Sequence, residues 1–151
     1  MGGYGGSSGK TKGKCYYDTG GHKVKDQNAI DVAERYISEG SYVAFLKEKP
    51  PEKRPDLSVD GEFLVEVKGM TSTSPNRVAK NIKEAFSQIL SELSHYPEDE
   101  QHPGKVIILS RHDNFTEGYN AALEGYHLAK AQGYVHGMVE FWHGDNIFYL
   151  D

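Results

Sequence analysis

Asp56, Glu66 and Lys68 are the residues of this sequence whose types and spacing could do chemistry. They lie in a stretch that we interpret as two short strands joined by a hairpin turn at Asp60-Gly61, a dipeptide that favours tight turns between alternating apolar residues. Because residues two apart on a strand share a face, Glu66 and Lys68 should lie side by side on the second strand. Pairing across the turn can bring the carboxylate of Asp56 close to that of Glu66.

Two carboxylates that converge beside a lysine indicate chemistry on an anionic substrate. Their negative charges repel each other unless a hard divalent cation takes oxygen ligands from both. The ammonium group of Lys68 can then steady a nucleophilic water or an anionic transition state. The alternative interpretation is an ordinary solvated strand face, because Glu-x-Lys sequences and Asp-Gly turns are each common in proteins.

Composition limits the classes of protein to which the chain can belong. Its 151 residues suffice for one ordinary domain with a hydrophobic core. No apolar run approaches the length of a membrane span, so we expect no membrane partner. Cys15 is the only cysteine in the sequence, which excludes an intrachain disulfide and a zinc site built from thiolates.

Positive charge is concentrated in the first half of the chain, although the net charge is −5. Residues 1–83 hold 14 of the 17 Lys and Arg but 11 of the 22 Asp and Glu, so this part is net positive. An electrostatic footprint for phosphate groups requires basic residues on both sides of the hairpin. The groups that flank it are Lys10, Lys12, Lys14, Lys23, Lys25, Lys47, Lys49, Lys53, Arg54, Arg77, Lys80 and Lys83. Any one of these groups could equally be a set of solvated side chains.

The first 25 residues are rich in Gly, Ser and Lys and have no apolar period, which is typical of a flexible lead-in or linker. We therefore expect the folded domain at residues 26–151. Its first helix should begin after Asp26 as the N-cap and stop at Gly40. A strand from Tyr42 to Lys47 should follow, and a proline-rich connector leads from it into the hairpin.

The patterns beyond the hairpin predict two more helices, a buried strand and a terminal hairpin. Ser74 should cap the longest helix, with Pro75 at its first position. A Val-Ile-Ile-Leu run predicts a buried strand at residues 105–110, and a helix should follow at about 116–132. Two strands at 134–141 and 147–150 should form the last hairpin. The order α-β-β-β-α-β, then a helix and a hairpin, predicts an α/β fold of the mixed-sheet, α+β type.

This order and the motif spacing resemble the PD-(D/E)XK nuclease superfamily, whose signature is an Asp, a variable gap and then Glu/Asp-x-Lys across a β-hairpin. The matching residues here are Pro55-Asp56 and Glu66-Val67-Lys68, on the second and third predicted strands. The likeness covers roughly residues 26–110. Within the superfamily, the chain most resembles the C-terminal toxin domains of contact-dependent growth inhibition and related polymorphic toxin systems, on residues 33–40, 53–56, 60–61, 66–68 and 81–88.

The resemblance implies that Asp56 and Glu66 are metal ligands, with the backbone carbonyl of Val67 as a third. It implies that Lys68 positions or activates the attacking water and balances charge in the transition state. Magnesium suits this sparse ligand set, because it keeps several waters and needs one or two carboxylates. Manganese and zinc stay open as alternatives.

Two further residues follow from the resemblance. The superfamily often adds an acid from the first helix, and Asp31 is the best match, with Glu34 as the alternative on the same helix face. Gln88 on the longest helix matches a glutamine that many members place near the lysine. Its position could equally be the boundary of the apolar stripe.

The function implied is that of a metal-dependent endonuclease, a bacterial toxin domain that cleaves tRNA or other structured RNA. Cleavage of DNA by the same fold is the close alternative. The toxin assignment further implies a monomer, a cognate immunity protein, and delivery from a secreted effector into the cytoplasm of a target cell.

Two other accounts use different features of the sequence. The chain could be a non-catalytic protein-binding module on a nuclease-like scaffold, and its acidic second half would suit a basic protein partner. Metal-free RNA cleavage by a histidine pair would use His136 and His143, which we place on neighbouring strand segments. For both histidines, packing or stacking against a nucleotide base is the favoured interpretation.

Overall fold

Helices and strands follow one another in the predicted order along the chain. The structure is a computed structural model, and it describes residues 15–48, 50 and 53–151. Its elements are α1 Gln27–Ser38, β1 Val43–Phe45, β2 Leu57–Val59, β3 Phe63–Met70, α2 Pro75–Leu93, β4 Gly104–Ser110, α3 Phe115–Ala131, β5 Met138–His143 and β6 Asn146–Tyr149. A short 3-10 turn, Glu98–Glu100, lies between α2 and β4. The predicted mixed α/β fold class is confirmed.

One mixed sheet contains all six strands in the order of the chain, β1-β2-β3-β4-β5-β6. The first three strands pair antiparallel, and so do β5 and β6. The central pairs β3-β4 and β4-β5 are parallel, with α2 and α3 as their crossover helices. Because parallel strands point the same way, β3, β4 and β5 all end at the same edge of the sheet.

The two faces of the sheet carry different helices. On one face, α1 packs against Val65 and Val67 of β3 in a core that continues to Trp142 of β5. On the other face, α2 and α3 cover a second core that includes Leu64 of β3 and Ile108 of β4. Because side chains alternate along a strand, Glu66 and Lys68 of β3 belong to the face that α2 covers.

Capping residues fix where α1 and α2 begin, as the sequence predicts. Asp26 accepts hydrogen bonds from the backbone N–H groups of Asn28 at 2.9 Å and Ala29 at 3.4 Å. Ser74 accepts one from the N–H of Arg77 at 3.3 Å and is followed by proline at the first helical position. Among the residues that the structure describes, no helix is both long enough and apolar enough to cross a bilayer.

The structure differs from the predicted lead-in over residues 16–24, which contact the domain. Tyr17 and Lys23 form an antiparallel bridge, and the N–H of Thr19 donates to the carbonyl of Phe45 at 2.8 Å. The ring of Tyr16 lies 5.7 Å from that of Phe45. This segment therefore contacts the domain at β1 through isolated bridges and backbone hydrogen bonds, without forming a further strand. Residues 1–14 of the lead-in, with Lys10, Lys12 and Lys14, lie outside the described residues, as does Lys49.

Candidate functional site

The β2-β3 hairpin sets the distance between Asp56 and Glu66. Its turn residues Asp60 and Gly61 have φ angles of 55° and 66°, a backbone geometry that few residues other than Asn, Asp and Gly adopt readily. The hairpin register pairs Leu57 with Val65. Continuing this register by one residue places Asp56 directly opposite Glu66, where side chains on one face come into contact.

The two acids are held by backbone hydrogen bonds from each other's strand. The N–H of Asp56 donates to Glu66 Oε1 at 3.0 Å, and the N–H of Val67 donates to Asp56 Oδ2 at 2.9 Å. Each carboxylate therefore has one oxygen fixed by an amide of the opposite segment. The sequence-based prediction that these carboxylates converge agrees with this geometry.

Lys68 and Gln88 complete the surroundings of Glu66. The Nζ atom of Lys68 lies 3.5 Å from Glu66 Oε2. With the Gln88 amide oriented by its partners, its Nε2 donates to Glu66 Oε2 at 3.3 Å and to the carbonyl of Arg54 at 3.2 Å. The structure thus brings four of the five predicted site residues into one cluster: Asp56, Glu66, Lys68 and Gln88.

Burial and mutual repulsion shift the acidity of both carboxyl groups. Burial, together with the nearby charge of Asp56, raises the pKa of Glu66 to about 9, while the charge of Lys68 opposes the shift. Burial also raises the pKa of Asp56 to about 6, against the hydrogen bond from Val67. Two acids in one desolvated site cannot both ionise freely without added positive charge. A divalent cation would supply that charge.

The pair fits a hard cation that takes few protein ligands. Within the described residues, no group of three or more His, Cys, Asp or Glu side chains is arranged to hold a metal ion. Any ligands beyond Asp56 and Glu66 would therefore be backbone carbonyls or waters, which is the coordination that magnesium accepts. The third ligand that the resemblance implies, the carbonyl of Val67, stays a prediction.

An ion pair that the sequence analysis missed anchors the segment before Asp56. Arg54 Nε and Nη2 donate to the two carboxylate oxygens of Glu92 at 2.9 Å and 2.8 Å, and Tyr96 Oη donates to Glu92 Oε2 at 2.9 Å. The Glu92 side chain is 6% exposed. Glu92 follows Gln88 by one helical turn. Both side chains of α2 therefore hydrogen-bond to Arg54, Glu92 to its guanidinium group and Gln88 to its carbonyl. The sequence feature that could have indicated this ion pair is the position of Glu92. It lies three residues after Ile89, on the buried apolar face of α2.

The structure does not bring Asp31 or Glu34 to the carboxylate pair. Asp31 lies on α1, which packs on the opposite face of the sheet, and its Oδ2 pairs with Arg111 Nη2 at 2.6 Å. Glu34 accepts a hydrogen bond from Tyr16 Oη at 2.8 Å. The acid of this region whose charge acts on Asp56 is Asp26, the N-cap of α1, which contributes to the raised pKa of Asp56.

The histidine pair considered as a metal-free catalyst is separated by the length of β5. His136 precedes this strand and His143 ends it, which puts them roughly 20 Å apart at the rise of an extended chain. The placement on neighbouring strand segments was therefore wrong. His136 contacts the ring of Phe86, and His143 Nδ1 lies 3.1 Å from Ser110 Oγ.

Basic side chains surround an open cleft beside the cluster. Lys53, Lys68 and Lys83 line this cleft of about 400 Å³, together with Gln88 and the serines of α2. Within its described lining, Glu84 is the one acid. On the α1 side, Asp56 borders another cleft, of about 430 Å³. Of the two carboxylates, Asp56 therefore lines a cleft directly, whereas Glu66 is reached from the basic cleft through its neighbours Lys68 and Gln88.

Comparisons with known proteins identify no relative of this chain. No family model, no curated protein and no solved structure matches the chain. The resemblance to the PD-(D/E)XK superfamily therefore depends on the motif residues and the order of elements. Any function for the chain has to be inferred from the site itself.

The raised pKa values predict how the stability of the metal-free protein depends on pH. In the unfolded chain both acids ionise near their usual pKa values of 3.8 and 4.5, whereas the folded chain holds their protons up to about 6 and about 9. The free energy of unfolding should therefore fall as pH rises from about 4 to about 9, by on the order of a few kcal/mol. Urea denaturation in EDTA across this range measures it.

Glu66→Gln removes the most shifted group and should flatten this decline. The matched control is Glu62→Gln, an exposed acid just before β3, which should leave the pH dependence of unfolding as in the wild type. Added Mg²⁺ should raise the stability of the wild type more at pH 8 than at pH 5. Equal pH slopes for wild type and Glu66→Gln would contradict the repulsion between the two acids.

Proposed function

We propose that the protein is a metal-dependent nuclease that hydrolyses phosphodiester bonds. The observation that carries this proposal is the cluster of Asp56, Glu66, Lys68 and Gln88. Two of its members, Lys68 and Gln88, also line the basic cleft. A buried acid and a half-buried acid, a lysine 3.5 Å from one of them, and a cleft lined by further lysines suit a polyanion with a bond to hydrolyse. The superfamily resemblance supports the same assignment.

The side chains would have two roles in hydrolysis: some would stabilise charge, and others would position the reacting groups. A bound divalent cation would stabilise charge on the phosphate oxygens and lower the pKa of a water molecule. Lys68 faces the cleft, where its ammonium group can orient the attacking water and offset charge on the phosphate. Gln88 fixes the second oxygen of Glu66, so the carboxylate keeps its orientation. Arg54 and Glu92 hold the segment that presents Asp56.

RNA is the substrate that we favour over DNA. The chain is small and we propose one site in it, so a monomer offers no second site for the other strand of a duplex. The cleft of about 400 Å³ has the size of a small-ligand pocket rather than of a duplex groove. An RNA with accessible single-stranded segments, such as tRNA, satisfies both constraints.

Cleavage of total RNA and of plasmid DNA by the purified protein tests the proposal. We expect RNA fragments with Mg²⁺ and none with EDTA, and Mn²⁺ and Zn²⁺ test which cation the site uses. Glu66→Gln and Lys68→Ala should each slow cleavage by on the order of hundreds-fold, since each removes stabilisation of the transition state. Glu62→Gln and Lys130→Ala, matched changes on exposed residues, should cleave as the wild type does.

Other outcomes of this assay decide between the alternatives. Cleavage of plasmid DNA but not of RNA would support a nuclease and show that its substrate is DNA. A folded wild type that cuts neither polymer with any of the three cations would overturn the proposal. It would favour the non-catalytic binding module, whose binding should survive Glu66→Gln.

We further propose that this nuclease is the toxin domain of a secreted effector, acting in the cytoplasm of a target cell and neutralised by a cognate immunity protein. The support is the resemblance of residues 33–40, 53–56, 60–61, 66–68 and 81–88 to contact-dependent growth inhibition toxins. We expect the domain to act as a monomer.

Expression of the chain inside bacteria tests the toxin assignment. Induction of the wild type should arrest growth, because cleavage of an essential RNA stops protein synthesis. Asp56→Ala should restore growth at equal protein level, as judged by immunoblot, since it removes one carboxylate of the pair. Normal growth with the wild type present and folded would contradict the assignment.

A further inference from the structure

A smaller pocket shares Lys68 with the basic cleft. It has a volume of about 150 Å³ and sits between the carboxyl end of β3 and the first turns of α2. Lys68, Thr71, Ser72, Arg77 and Asn81 supply its polar lining. Its floor is apolar, formed in part by Val78 and Ile108.

Every polar side chain of this pocket carries a hydrogen-bond donor, and the described lining holds no acid. Arg77 is exposed and makes no ion pair within the described part of the chain. The hydroxyls of Thr71 and Ser72 and the amide of Asn81 also have no hydrogen-bond partner among the described residues. Lys68 is the exception, since it contacts Glu66 at 3.5 Å. The pocket therefore presents two cations and three neutral side chains that can donate hydrogen bonds, and its described lining has no acid.

Size and charge together select the ligand. A pocket of about 150 Å³ is too small for a drug-sized molecule or a stacked nucleoside but accommodates a compact anion. A guanidinium group beside hydroxyl and amide donors is a set that binds phosphate oxygens through charge-assisted hydrogen bonds. The first turn of α2 adds its backbone dipole to the same side.

We propose that this pocket binds a second phosphate of the nucleic-acid backbone, adjacent to the phosphate that is cleaved. The inference rests on the proposed nuclease function. Lys68 lines both the pocket and the basic cleft, so a strand whose reacting phosphate lies at the carboxylate pair has its neighbouring phosphate within reach of Arg77. Arg77 and Asn81 thereby fix the register of the strand rather than its chemistry.

Binding of a fluorescein-labelled 12-nucleotide single-stranded RNA to the full chain tests this proposal. The measurements use the Glu66→Gln background, in which cleavage should be slow, and follow fluorescence anisotropy from low to high salt. Adding Arg77→Ala should weaken binding roughly tenfold and lower the slope of log K against log salt by about one, because one phosphate contact is lost. Asn81→Ala should weaken binding less and keep the slope. Arg77→Lys should also keep the slope.

Lys130→Ala is the matched control, because it removes a charge from a helix residue outside both cavities. It should change neither the affinity nor the salt slope. A second measurement uses inorganic phosphate alone: the backbone amide signals of Thr71 and Ser72 should shift in NMR spectra of the wild type and stay fixed in Arg77→Ala.

The outcomes separate this proposal from the nuclease function. If Arg77→Ala binds and cleaves RNA as the wild type does, the subsite is overturned while the nuclease stands. If inorganic phosphate shifts the amide signals but Arg77→Ala leaves the affinity for RNA unchanged, the pocket holds free phosphate. The proposal is then overturned as well. If Arg77→Ala weakens RNA binding but the wild type cuts no nucleic acid, the backbone subsite is supported and the nuclease function fails.

Discussion

Two acids that repel each other are held side by side by backbone amides, and the arrangement of the site follows from that contact. Asp56 and Glu66 each accept an N–H from the other's segment, so neither can turn away without losing a hydrogen bond. Burial makes their joint ionisation unfavourable and raises the pKa of both. Natural proteins keep such a costly pair where a function needs it, and a shared cation removes the repulsion.

The fold supplies the forces that hold this pair against its repulsion. The tight β2-β3 turn sets the register, and the parallel pairing of β3 with β4 fixes the strand that carries Glu66 and Lys68. Helix α2 closes the site with Gln88 and anchors the connector through Glu92 and Arg54. Both faces of the sheet thus hold an apolar core, and the face covered by α2 also carries the proposed site.

Local patterns in the sequence predict most of this arrangement, and long-range contacts account for what they miss. Turn chemistry, capping residues and strand alternation predict the hairpin, both helix starts and the shared face of Glu66 and Lys68. Asp31 was misplaced because helical periodicity gives the faces of α1 but not the face of the sheet on which α1 packs. The pair Arg54–Glu92 joins residues 38 positions apart, and no local pattern encodes such a contact.

The central claim is that Asp56 and Glu66 form one cation site, and direct titration of Mn²⁺ into the metal-free protein tests it. The electron paramagnetic resonance signal of free Mn²⁺ gives the free concentration, and the bound amount is the difference from the total. We predict one site per wild-type chain, weakened by more than about tenfold in Glu66→Gln and in Asp56→Asn and unchanged in Glu62→Gln. A folded wild type that leaves all Mn²⁺ free, or a Glu66→Gln variant that binds it as tightly as the wild type, would contradict the claim.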